Sequence, residues 1–212
     1  MSQSVAQTVE RKRHFIRVIA PAVGLLAAGL LVWQGSYAAF SATTTDNSNA
    51  WSTGNLVLTN NGGTGTYAAA TTATFGGTNL KPTSNGTTCL TVKSTGNSAG
   101  SLAMYRNALA DSTPSLGAQI QLTVTAATVT SDVLANCTGF PTSGTTTIAT
   151  GVPLTTFPTT FAGATTQVAV AATNPILVAY KVVWTFVTTG TNPGDTALMG
   201  KTVTAGFTWE LQ

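Results

Sequence analysis

Few residues of this chain can do chemistry. Its one histidine is His14, so residues 39–212 cannot supply an HExxH zinc site, a Ser/His/Asp triad or a Cys/His pair. Glu210 is the single glutamate of that region, which removes a paired-glutamate acid/base site. Asp46, Asp111, Asp132 and Asp195 are scattered through polar, turn-like contexts where aspartate usually caps or forms turns. Asp195, in Asn192-Pro193-Gly194-Asp195, lacks the companion carboxylates that calcium loops concentrate. Gly62-Gly63-Thr64-Gly65 has neither the lysine nor the following helix of a phosphate loop and reads as a turn. We therefore expect no catalytic residue, no metal site and no cofactor.

Cys89 and Cys137 are the only cysteines and neither lies in a CxxC motif. In an exported chain the natural reading is a disulfide, and two separate buried thiols are the alternative. Closing a loop of that length stabilises a fold by about 4 kcal/mol in the chain-entropy model. A nucleophilic cysteine would need a histidine that is absent.

Export is legible at the N-terminus. Arg11, Lys12, Arg13 and Arg17 precede an uncharged run from Val18 to Val32, and Ser36-Tyr37-Ala38 puts small residues where a signal peptidase reads them. Residues 1–38 are thus expected to be a helical signal peptide cut between Ala38 and Ala39. A retained membrane anchor is the rival, since the span from Val18 to Phe40 carries no charge. The strongly apolar part is short, however, and no positive flank follows it. Either outcome puts the rest of the chain outside the cytoplasm.

The basicity belongs to this leader. Beyond residue 38 the cations Lys81, Lys93, Arg106, Lys181 and Lys201 are matched by Asp46, Asp111, Asp132, Asp195 and Glu210, although the whole chain is formally +3. A neutral surface offers no footprint for nucleic acid and little repulsion between copies. Only 7% of residues are charged, against about 25% in average soluble proteins.

The elements that would carry these residues read as strands. Residues 39–50 are polar and Thr-rich, an extended arm with Phe40 as its one large apolar side chain. From Trp51 onward, short β-branched and aromatic runs alternate with Gly, Asn and Pro. Leu56-Val57-Leu58 is the first strand, ended by Asn60-Asn61-Gly62-Gly63. A second is expected over Thr71 to Phe75, and a tight turn at Asn85-Gly86 precedes an alternating strand from Cys89 to Lys93. Leu102 to Ala110 fits a helix or a strand, and Gln119 to Thr130 a half-buried strand. Residues 137–166 read as loop-dominated, with short apolar pieces around Ile148, Leu154 and Phe161.

Val178, Tyr180, Val182, Trp184 and Phe186 share one strand face, and Val203, Ala205, Phe207, Trp209 and Leu211 another. These two strands are expected to pair, across a loop from Thr188 to Gly200, and their aromatics to pack in a core. About eight strands over residues 51–212 predict an all-β fold, a two-sheet antiparallel β-sandwich of jelly-roll or immunoglobulin-like kind, preceded by the N-terminal signal or anchor helix.

Several stretches are similar to a known family. Ala38-Ala39-Phe40-Ser41, followed by Trp51-Ser52-Thr53-Gly54-Asn55-Leu56-Val57-Leu58, resembles the start of the TasA/camelysin family, whose signal peptide is removed by a SipW-type peptidase. Asn79-Leu80-Lys81-Pro82 resembles that family's Asn-Leu-Lys-Pro-Gly turn, with Thr83 where Gly is usual, and the close Phe207-Thr208-Trp209-Glu210 resembles the terminal strand of its actinobacterial branch. Residues 95–175 have no counterpart in this resemblance.

The resemblance implies a secreted jelly-roll subunit of biofilm-matrix fibres. Subunits of such fibres are joined by donor-strand exchange, the N-terminal arm of one completing a sheet of the next. Carried over by position, the donor strand begins at Ala39, Phe40, Ser41 and Ala42. The implied partners are further copies of the chain, the SipW-type peptidase and matrix components. Two other readings stand beside it: a monomeric cell-surface module binding polysaccharide or protein, and a camelysin-like metalloendopeptidase, for which the sequence supplies no recognisable zinc-binding set.

Overall fold

The computed structural model describes residues 42–45, 57–71, 75–96 and 98–212, and of residues 42–45 only the backbone. The predicted signal segment, with Ala38, Ala39, Phe40 and Ser41, lies outside the described residues. Among the described residues there are nine strands: β1 (Ala42–Thr45), β2 (Val57–Asn60), β3 (Asn85–Thr95), β4 (Gly100–Asp111), β5 (Ile120–Val129), β6 (Thr146–Pro153), β7 (Val168–Val170), β8 (Ile176–Phe186) and β9 (Val203–Leu211). A 3₁₀ turn (Leu154–Thr156) follows β6, and one short helix, α1 (Asn192–Ala197), precedes β9.

The strands form two antiparallel sheets, of order β1-β9-β4-β7 and β2-β3-β8-β5-β6. Four of the ladders, β1 with β9, β3 with β8, β4 with β7 and β5 with β6, are the rungs of one long antiparallel ribbon. Folding that ribbon over itself joins β9 to β4 in one sheet and β8 to β5 in the other. This is the jelly-roll order, with β2 added outside β3.

Period-two alternation puts the apolar residues between the sheets. From β8, Val178, Tyr180, Val182, Trp184 and Phe186 are buried, and from β9, Phe207, Trp209 and Leu211. They meet Leu90 and Val92 of β3, Leu122 and Val124 of β5, and Leu102 and Met104 of β4 in one core. Each such side chain contributes roughly 1.5–3 kcal/mol by leaving water.

The predicted faces of β8 and β9 are present, but the two strands do not pair. They lie in opposite sheets, and their aromatics meet across the core, Tyr180 edge-on to Trp209 with ring centroids 5.8 Å apart. Alternation reports which side of a strand is buried and nothing about its neighbour.

Four other expectations are corrected or resolved. The segment from Leu102 to Ala110 is strand, and its alternation fails past Met104 because the register with β9 shifts between Arg106 and Ala108. Asn85-Gly86 begins β3, while the turn falls at Lys81–Ser84, where Ser84 N–H donates to Lys81 C=O and Thr83 has φ of 77°. Gly86 is needed because a Cβ there would stand 2.6 Å from Trp184 Nε1. Phe75 is not in a strand, and packs against Phe207 instead. The loop-dominated stretch 137–166 holds β6, a mostly polar edge strand, and β7 follows it, apolar but only three residues long and so too short to show an alternation.

Candidate functional site

Protein sheets end in edges, where unpaired N–H and C=O groups can recruit another chain. The sandwich has four edges, and three are blunted. β7 is only three residues long. β6 meets β5 with two register shifts, contains Gly151 at φ of 59° and ends at Pro153.

On the third side β2 is the edge strand, only four residues long, and the rest of the flank of β3 is covered piece by piece. β2 covers residues 92–95. Beyond it the chain turns at Gly62 and Gly63, with φ of 52° and 74°, and Asn61 takes over. Its N–H donates to Thr91 C=O at 3.0 Å, and its Oδ1 accepts from Thr91 N–H at 2.8 Å. Further along, Cys89 N–H donates to Ala135 C=O at 3.3 Å, from a loop that also donates Ala135 N–H to Gly63 C=O. Thr91 Oγ1 accepts from Val133 N–H at 2.9 Å and donates to Val133 C=O at 3.1 Å. Asn61 and Thr91 are completely buried, so each of these bonds satisfies a group that water cannot reach.

The predicted disulfide is formed: Cys89 is bonded to Cys137. It ties the covering loop to the strand it covers, and Cys89, Val133 and Ala179 pack as a small second core outside the sheet. Beside it, Tyr67 Oη donates to Asp132 Oδ1 at 2.5 Å, and Lys93 Nζ stands 4.1 Å from the Tyr67 ring centre. Burial first, and then the bond to Asp132, pushes the Tyr67 phenol well up.

The fourth edge is different. β1 lies along β9 with Ala42 opposite Leu211, Thr43 opposite Glu210, Thr44 opposite Trp209 and Thr45 opposite Thr208. On its inner side β9 is matched by β4 from Leu211 down to Val203. On its outer side β1 covers residues 208–211 alone, and among the described residues no strand pairs with residues 203–207 there. Of the predicted donor residues, Ala42 is the one described, and it is a rung of this ladder.

The acidic residues serve local structure. Asp111 accepts from Ser115 Oγ at 2.6 Å and from the Leu116 and Gly117 amides at 3.1 Å. Asp195 accepts from Thr188 Oγ1 at 2.6 Å, Thr189 N–H at 2.7 Å and Thr189 Oγ1 at 2.8 Å. These bonds, that of Thr188 foremost, hold its carboxyl below the usual carboxylate range. Glu210 accepts from Tyr105 Oη at 2.7 Å and Gln212 Nε2 at 2.6 Å. Residues 62–65 form the expected turn. Among the described residues no three His, Cys, Asp or Glu side chains are grouped to hold a metal ion. The aromatic rows of β8 and β9 are buried, with Tyr180 fully enclosed, and present no stacking platform.

Sequence reasoning found the cysteine pair and missed Asn61, because an asparagine before two glycines signals only a turn. No protein-family model matches the chain, and no curated protein matches it.

Proposed function

We propose that this protein is a secreted, non-enzymatic structural subunit of extracellular matrix fibres, assembling by donor-strand exchange through its N-terminal arm. The observation that carries the reading is the outer edge of β9, where four residues from the arm occupy a nine-residue strand whose other edge positions no described strand meets. A strand held at one edge by four rungs can be replaced by the same strand from a neighbour at little net cost, because every hydrogen bond lost is remade.

Three further features support it. The covered flank of β3, the short β2 and the blunted β6 and β7 edges make the flank of β9 the least covered among the described residues, which favours linear growth over clumping. The disulfide suits an oxidising compartment, and so supports export past a SipW-type peptidase. The balanced charge beyond residue 38 removes repulsion between copies.

Electron microscopy of purified residues 39–212, beside residues 51–212, both concentrated without reductant, tests the reading. Fibres from the first and none from the second support donor-strand assembly. Monomers in both samples would move the reading to a surface-binding module or to a fibre that a partner must start.

A further inference from the structure

One end of the sandwich holds a cavity of about 600 Å³ between the sheets. Leu122, Trp184 and Phe186 wall it on one side, Ala205 and Phe207 on the other, and Phe75 closes over it from the loop before β3. The cavity opens to solvent past the loop residues 76–80 and 198–202, and its volume falls within the range of small-molecule sites, which are mostly apolar with a few polar groups at one end.

The mouth has its own chemistry. Met199, on the turn after α1, lines the cavity and is 75% exposed. Two residues on, Lys201 lines the same mouth, and no carboxylate lines the cavity among the described residues. Asp111, opposite Val203 on β4, spends both carboxylate oxygens on Ser115, Leu116 and Gly117. Lys201 is thus the one charged residue among the described residues that line the cavity.

We infer that this cavity binds an amphipathic anion, its apolar body between Trp184 and Phe207 and its carboxylate-like head at Lys201. The inference is independent of fibre assembly, since it concerns the space between the sheets and not the edge of β9.

The probe is 12-bromododecanoate, below its micelle concentration, added to the full chain. Bromine quenches tryptophan on contact, so a saturable loss of emission is expected in the wild type and its disappearance in Trp184→Phe. Lys201→Gln should weaken binding about two- to fivefold, the effect of one partly exposed ion pair, and should leave the affinity for uncharged 12-bromododecan-1-ol unchanged. Ala205→Phe, which fills the cavity from the other sheet, should abolish quenching with Trp184 in place. Amide shifts in the wild-type NMR spectrum should cluster at residues 75–80 and 198–207, a readout that needs no variant. Quenching that persists in Trp184→Phe, fails to saturate, or comes with shifts confined to residues 1–40 would overturn the site. Equal affinity of wild type and Lys201→Gln for the carboxylate would overturn the anionic class.

Discussion

Asn61 acts toward Thr91 as a strand neighbour would. Its N–H donates to the Thr91 carbonyl at 3.0 Å, and its side-chain Oδ1, in place of a backbone carbonyl, accepts from the Thr91 N–H at 2.8 Å. The same Oδ1 accepts from Gly63 N–H at 3.0 Å, and Nδ2 donates to Val133 C=O at 3.4 Å. One side chain thus joins β3, the turn after β2 and the covering loop.

Asn61→Ala removes that junction and strands buried donors and acceptors. Leaving such groups without partners costs about 1–3 kcal/mol, so the urea midpoint should fall with an unchanged slope. A stability within 0.5 kcal/mol of the wild type would mean that water replaces the side chain and that the seal is not dry.

Removing the disulfide loosens the same cover besides freeing the unfolded chain. The double change Cys89→Ala with Cys137→Ala should cost up to about 4 kcal/mol. Hydrogen exchange at the Thr91 and Val133 amides should rise more than at the central strand β8. Uniform exchange across the sheet would show that the bond merely constrains the denatured chain.

Tyr180 is fully enclosed, and its hydroxyl has no hydrogen-bond partner, like Trp209 Nε1 opposite. Burial alone drives the phenol far up, so it stays protonated at any working pH. Tyr180→Phe should be neutral or stabilising by up to about 1 kcal/mol. A loss exceeding 1 kcal/mol in thermal or chemical denaturation would reveal a buried water bridging the two groups.

Asp195 gives a pH dependence of known sign. Its folded pKa lies below the unfolded value, so the stability it adds is present above the ordinary carboxylate range and is lost as pH falls through the folded pKa. The wild type should therefore exceed Asp195→Asn in stability at pH 7, and the gap should close in acid. A gap that is constant from pH 7 to pH 2 would place its cause in helix capping rather than in the carboxylate.

Strand faces were legible in the sequence wherever apolar residues alternate without interruption, as from Ile120 to Val124 and from Val178 to Phe186. Partners were not. Period two is the same for a strand beside β8 and one facing it across 10 Å of core, so β9 was assigned to the wrong sheet. The edge strand β6 is mostly polar and β7 is only three residues long, so neither carries enough alternation to leave a pattern. Gly86 reads as turn punctuation in sequence, and only the Trp184 indole lying over it explains its place in a strand. Of the candidate site, the cysteines were legible by elimination. The role of Asn61 depends on residues 30 and 72 positions away and has no local signature.

The β1–β9 ladder also bears on how the molecule comes into being. Ala42 meets Leu211 across 169 intervening steps of chain, and β4 waits for β9 as well. Contacts this distant in sequence incur loop-closure entropy before any bond rewards it, and folding slows accordingly. The β1-β9-β4-β7 sheet cannot close before β9 is made. During that interval β4 lacks the neighbour it meets over most of its length, and Tyr180 lacks the Trp209 ring that covers it. The chain is then an open half-sandwich, whose fate depends on whether β9 or a stranger arrives first.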